Sequence, residues 1–329
     1  MFDFRYHALS LAAVLLALAV GVVIGVAIGD SNLVSSAKSG IVHDLSSEVK
    51  GAQQQAEQAH AQLAGEEAFA NDLYPIAVHG LLDGQSVGLV FLGGSSNRIN
   101  SLVRDAVTQA GGNLATVVAV REPLDLTGIA SAAEGTRFAA LGETTGEPSS
   151  GTTSTSTDTT STPESGESGE SAPSEAALNL LQDFGSILGK QLVKGGPNIQ
   201  RALISRVRGP LLSAFDGQLG RLDALVLVRN APSTLNPKQT QAVSRFESGL
   251  LEGISAVQIP VVGAELSNAE PSQIPWFQGK DLASVDDLDT TAGQAALVYA
   301  LTGSHGSYGT KSTADSLLPN VAGSTTTAP

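Results

Sequence analysis

The residues best placed to do chemistry are Gly93-Gly94-Ser95-Ser96-Asn97, which follow the apolar run SVGLVFL and precede a helical pattern. A glycine turn between a strand and a helix N-terminus is where open α/β sheets hold phosphates. Here the G-x-G-x-x-G spacing and the P-loop lysine are both missing, and so is the second glycine of a nucleophile elbow. The segment therefore reads as a tight turn. His7 abuts an apolar run, His43 and His60 fall in a long helical stretch, and His79 and His305 remain. No two stand four apart as metal-binding helical pairs do, and a Ser–His–Asp site would have to assemble in space. Asp286, Asp287 and Asp289 lack the Gly and Glu of a calcium loop. Their place just before a helix suits capping and the helix dipole instead.

The chain has no cysteine, and its one methionine is Met1. Disulfides, thiolate sites and the soft donors that Cu(I) prefers are therefore missing, and five scattered histidines make no evident Cu(II) site. We expect no catalytic residue, no cofactor-binding residue, no metal ligand set and no enzyme. The formal charge of -14 argues against nucleic acid as a partner. Arg201, Arg206, Arg208, Arg221, Arg229 and Arg245 alternate with apolar residues and read as solvated helix faces.

From Leu9 to Ile28 the sequence has no charge, enough to cross a hydrocarbon layer of ~30 Å. Arg5 and His7 precede it and Asp30 follows. The expectation is a transmembrane anchor over residues 1–30, with a cytoplasmic N-terminus and everything later outside the cell membrane, in the envelope. A cleaved signal peptide ending at Ala27-Ile28-Gly29 is the alternative, but the apolar run is too long for one. Ala13, Ala17, Gly21, Gly25 and Gly29 recur every four residues, a small-residue stripe along which two helices can associate in lipid.

Residues 31–75 form the next segment. Val42, Leu45, Val49, Ala52, Ala56, Ala59, Leu63, Ala70 and Leu73 step by threes and fours, with Glu66 breaking the register. That is the period of a left-handed coiled coil, reaching roughly 48 Å over residues 42–73, and Pro75 should end it. The Ala-rich seam is weak alone, but with the adjacent stripe it suggests a parallel dimer.

Residues 76–309 read as an α/β domain. Strands are expected at Ser86–Leu92, Leu114–Val120, Ala224–Val228 and Val257–Val262, the last an edge because Pro260 interrupts it. Helices are expected after Asn97, at Ala176–Leu192, in part of Ile199–Phe215, from Asn236-Pro237, and at Thr291–Leu301, which closes the domain. This alternation predicts a doubly wound (Rossmann/flavodoxin-like), mainly parallel sheet. Residues 142–173, almost without hydrophobic side chains, predict a disordered Ser/Thr-rich insert, and residues 310–329 a disordered tail.

The start FRYHALSLAAVLLALAVGVVIG, the glutamine-rich stalk and SVDDLDTTAGQAALVYALTG resemble the actinobacterial copper-transport outer-membrane protein family (MctB-like). The resemblance runs from about Phe4 to Tyr308 and excludes the insert. Arg5, Tyr6, His7, Asp286, Asp287, Asp289, Gly293 and Gln294 are the family-like positions. It implies a role in copper homeostasis or transport in the envelope, with copper as a possible ligand by resemblance only. It also implies envelope proteins as partners, since members have been connected with regulation of envelope assembly and cell-wall hydrolysis. A non-enzymatic scaffold is accordingly the alternative to a copper role. A pore would need a closed barrel of alternating strands, which the pattern does not offer.

Overall fold

The computed structural model describes residues 4–28, 31–145, 174–230 and 234–319. The chain divides into two compact units, Met1–Ala68 and Phe69–Pro329. Gly29, Asp30 and most of the expected insert, 146–173, lie outside the described residues, as does the tail from 320.

In the first unit, α1 (Phe4–Ile28) contains one stretch, Tyr6–Ala27, that is long and apolar enough to cross a membrane. Leu9, Leu11, Val14, Leu15, Leu16 and Leu18 are all exposed and surround the helix. An apolar surface on every side suits lipid better than one protein face. α2 (Ser31–Val78) starts further upstream than the heptad pattern and passes through Pro75, which was expected to end it. Pro75 falls within one turn of the helix end, where few hydrogen bonds remain to lose. Packing then holds that turn: Tyr74 and Val78 are in the core of the second unit, and Tyr299 Oη donates to the Ala77 carbonyl at 2.9 Å.

The second unit is built on one seven-stranded sheet. In chain order its elements are β1 (Ser86–Gly93), α3 (Asn97–Gln109), β2 (Asn113–Val120), α4 (Leu126–Ala132), α5 (Glu175–Val193), α6 (Asn198–Leu211), β3 (Leu212–Gly217), β4 (Ala224–Asn230), α7 (Pro237–Ser255), β5 (Val261–Ala264), α8 (Ile274–Gln278), β6 (Ala283–Val285), α9 (Thr291–Leu301) and β7 (Ser307–Tyr308). A 3-10 segment, Arg137–Thr145, takes in the first four residues of the expected insert, so order extends to residue 145 instead of ending at 141. The strand order is β3-β2-β1-β4-β5-β6-β7. Every neighbouring pair is parallel except β2 and β3.

Alternation along the strands divides the core. Val87, Leu89 and Phe91 face the layer of α3, α9 and the end of α2, while Val90 and Leu92 face α5, α6 and α7. Each fully buried side chain of this size contributes roughly 1.5–3 kcal/mol. Local signals agree with the layers: Ser96 caps α3, and Asn236 and Gln239 form a reciprocal capping box at α7.

Three expectations are corrected. Pro260 lies before β5 instead of inside it, since pairing begins at Val261, and β5 is an interior strand, bonded to β4 on one side and β6 on the other. Helix α9 does not close the domain, since β7 adds the sheet edge after it. The tail is not loose from residue 310. Asp286 accepts the N–H groups of Thr310 and Lys311, and Gly309 donates to the Ser316 carbonyl.

The tightest packing joins α5 to α7. A Cβ on Gly185 or Gly189 would stand 2.4 or 2.3 Å from the Phe246 or Leu250 carbonyl oxygen. A Cβ on Gly249 or Gly253 would stand 1.9 or 2.2 Å from that of Gln182 or Ser186. Two parallel helices thus touch backbone to backbone through a Gly-x-x-x-Gly pair on each. Alanine in a helix normally gains about 1 kcal/mol over glycine; here the clash reverses the sign. Gly249→Ala is expected to destabilise the full chain in detergent by about 1–3 kcal/mol in denaturant titration, as overpacking a rigid contact does, while Gly51→Ala, with open space around it, stabilises or is neutral.

Candidate functional site

The strand order turns back between β1 and β4, and the crevice outside their C-terminal ends is the natural ligand position in such a sheet. A cavity of ≈ 300 Å³ lies there, lined by Ser96, Arg229, Asn230, Glu265, Asn268 and Gln273 among others. The positions follow from the topology: Ser96 ends the turn after β1, Arg229 and Asn230 end β4, and Glu265 follows β5.

Arg229 is the centre of the charge. Its Nε donates to Glu247 Oε1 at 2.7 Å and its Nη2 to Oε2 at 3.3 Å, a two-point ion pair with α7. Nη1 donates to Gln273 Oε1 at 2.6 Å, and the guanidinium lies 4.9 Å from the Trp276 ring centroid. Burial pushes the Glu247 carboxyl up, against the ion pair with Arg229. Glu122, just beyond β2, completes the cluster. Neither of its carboxylate oxygens, both shielded from solvent, has a hydrogen-bond partner. Burial first, and then the Glu247 charge, push it up to about 8 against the pull of Arg229.

On the other side of the crevice, Glu265 accepts from Lys311 Nζ at 2.5 Å, Ser272 Oγ at 2.7 Å and the Gln273 N–H at 2.6 Å. Asn230 Nδ2 donates to the Gly94 carbonyl at 2.7 Å, and Gly93 has φ of 96° with no room for a Cβ beside Asn230. The glycine turn is thus a close approach of two strand ends. Ser96 Oγ accepts from the Ile99 N–H as a helix cap. Several polar groups of the crevice, Arg229, Asn230, Glu265 and Gln273, are held by hydrogen bonds, and among the described residues no histidine lines it. His305 lines a second crevice at the opposite ends of β5 and β6, and His79 is exposed.

The three aspartates expected to cap α9 do something else. The cap is Thr290, whose Oγ1 accepts from the Gly293 N–H at 2.9 Å. Asp286, fully buried, accepts from the Thr310 N–H at 2.9 Å and the Lys311 N–H at 3.1 Å. Asp287, also buried, accepts from Thr290 Oγ1 at 3.2 Å. Its burial, with Asp286 and Asp289 nearby, pushes it up to about 6. Asp289 accepts from the Ser267 N–H and Oγ and from Arg98 Nη2. Its burial would raise it, but those hydrogen bonds and the Arg98 charge leave it below the usual carboxylate range. A Cβ on Gly293 would stand 2.0 Å from the Asp287 carbonyl, so this position admits only glycine. Gln294 is half-buried on α9.

The remaining predicted positions lie apart from the crevice. Ala13, Ala17, Gly21 and Gly25 are exposed along α1, with Tyr6 and His7 on the same helix; Arg5 belongs to α1 by its backbone. Gly29 is outside the described residues. Val42 belongs to α2 by its backbone, while Leu45, Val49, Ala52, Ala56, Ala59 and Leu63 are exposed along it. Ala70 is half-buried in the second unit and Leu73 is 45% exposed. Arg229, Glu247 and Glu122 went unrecognised as a cluster, because three unrelated segments supply them. Among the described residues, no group of three His, Cys, Asp or Glu is placed to hold a metal ion.

Together these features define a mixed α/β protein with a mostly parallel sheet and one N-terminal apolar helix. The chain matches the family described as copper transport outer membrane protein, MctB, over residues 1–319, and it belongs to that family. No curated protein matches it significantly. Membership makes it a copper-transport-related protein of the envelope, in a family not known for enzymes.

Glu122 yields a pH prediction. Its folded pKa of about 8 lies above the ordinary 4.5, so between these values the folded state holds a proton that the unfolded chain has lost. The resulting cost is absent below pH 4.5, grows through this window and is complete above pH 8. Glu122→Gln mimics the protonated form. It should match the parent near pH 4.5 and exceed its stability by about 1–3 kcal/mol above pH 8, measured by denaturant titration at both pH values.

Proposed function

We propose that this chain is a single-pass membrane protein that serves copper handling in the envelope as a parallel dimer, acting through contacts with other envelope proteins. The observation that carries this reading is the row Leu45, Val49 and Leu63, 58%, 49% and 56% exposed on the long helix α2. Apolar side chains at heptad spacing on a helix surface call for a second helix, and the small residues of α1 allow the same pairing within lipid. Arg5 and His7 before the span favour a cytoplasmic N-terminus and an extracytoplasmic sheet domain. Copper is the cargo of the family. This chain offers it no thiolate, and no thioether beyond Met1. Among the described residues an open sheet covered by helices encloses no path either, and on that ground we read the chain as assisting another component.

The cysteine-free chain makes the test direct. Leu45→Cys is expected to give an intermolecular disulfide in membranes on mild oxidation, and Gln54→Cys, on the opposite face of the heptad, is not. In cells that depend on the protein for copper tolerance, Leu45→Pro should abolish that tolerance, whereas the double variant His79→Ala, His305→Ala should retain it. Loss of tolerance in the histidine variant with the seam variant unaffected would replace the contact reading with direct copper binding.

A further inference from the structure

The charge of the chain is unevenly spread. From Phe184 to Phe215 there is no Asp or Glu, although the chain carries a formal charge of -14. The fold gathers cations from this stretch at one turn. Lys190 and Lys194 are exposed one helical turn apart at the end of α5. Arg201 donates from Nη2 to the Gly196 carbonyl at 3.3 Å, which holds it over the α5–α6 turn. Leu222 donates its N–H to the Val193 carbonyl at 2.8 Å, which brings exposed Arg221 beside Lys194.

Among the described residues, none of these four has a carboxylate partner. By contrast Arg98, Arg104, Arg137, Arg229, Arg245 and Lys311 each have one. The nearest acid in sequence, Asp223, is turned to the Ser86 N–H. The 14-residue helix α6 starts in the middle of the cluster from Pro197, with no side-chain cap on its first N–H groups, so its dipole adds to the positive field. Beside the same turn Gln191, 1% exposed, bonds Gln200 through Nε2 and leaves Oε1 without a partner. In the first turn of α6 stands Ile199, 84% exposed, more than any other large hydrophobic side chain described.

We propose that this turn, with Lys190, Lys194, Arg201 and Arg221 around Ile199, is a docking surface for an anionic phospholipid headgroup layer. The phosphates account for the unpaired cations and the open helix N-terminus, and each basic residue near such a surface adds attraction. The exposed isoleucine selects between sources of phosphate. A hydrophilic polymer gives it no apolar environment, whereas the boundary between headgroups and acyl chains does.

The test uses the full chain in lipid nanodiscs, either pure phosphatidylcholine or phosphatidylcholine with a third phosphatidylglycerol. Co-elution with the discs reads the anchoring of α1 separately. Ile199→Cys, labelled with an environment-sensitive fluorophore, should emit at shorter wavelength and be quenched by nitroxide lipids in the anionic discs only. Raising sodium chloride to 0.5 M, or the triple change Lys194→Glu, Arg201→Glu, Arg221→Glu, should abolish both effects. In the unsubstituted chain, amide exchange over residues 194–201 should slow by about fivefold or more in anionic discs. Equal emission and equal exchange in the two kinds of disc overturn the proposal. So does a soluble polyphosphate that shields the label in neutral discs as well as phosphatidylglycerol does, which assigns the surface to a phosphate polymer.

Discussion

The second unit depends on one contact, the backbone-to-backbone approach of α5 and α7. Between β2 and β4 the chain leaves the parallel part of the sheet for residues 121–223, which include α4, α5, α6 and the antiparallel edge β3. Something must tie that excursion to the half of the sheet that follows. Four glycines do it by removing the side chains that would keep two helices 8–10 Å apart. The flanking residues then share one core: Phe184 and Phe246 rings lie 6.3 Å apart, and both belong to the layer that covers Leu225 and Leu227. Fixing α7 at this depth also sets Glu247 against Arg229, so the charge cluster at the strand ends inherits its geometry from a steric contact on the helices.

A second constraint works through hydrogen bonds. A buried carboxylate is tolerated only when its oxygens are satisfied, and the loop between β6 and α9 uses this rule to tie distant segments together. Asp286 gathers the backbone after β7, and Asp289 binds the loop after β5 together with Arg98 of α3. Asp287 keeps one oxygen without a partner, and Glu122, with neither oxygen bonded, departs furthest from the rule. With no donor in reach, its cheapest state is the neutral acid, and its neighbours Glu247 and Arg229 are already committed to each other.

Long periodic elements were legible in the sequence. The strands β1, β2 and β4 and the helices α3, α7 and α9 stand where the apolar spacing puts them, because burial on one or both faces imposes that spacing. The α5–α7 contact was not legible. Gly-x-x-x-Gly draws notice inside an apolar span, yet Gly185 and Gly189 sit in an ordinary amphipathic helix. β3, β6 and β7, the two edge strands and a three-residue strand beside one of them, were missed because such short strands take their stability from neighbours instead of from pattern. The segment after Tyr308 reads as a polar tail by composition, and the acceptor that orders it, Asp286, is far away in the sequence. The glycine segment at residues 93–97 joins β1 to α3 as expected, while the partner that closes it, Asn230, could be placed only by the sheet.

Copper is where family and local chemistry must be reconciled. Hard carboxylates are poor ligands for Cu(I), and most of those at the strand ends are already engaged. Glu265 accepts three hydrogen bonds, Asp286 two from the backbone and Asp289 three. Binding a metal at any of them would break contacts that hold the β5, β6 and β7 ends in place, so affinity would be paid for in fold stability. Glu122 and the Oδ1 of Asp287 are the exceptions, without a hydrogen-bond partner, and burial pushes both carboxyls up, to about 8 and about 6. In this chain, then, acidic residues at the C-terminal strand ends are organised to hold the ends of the sheet together.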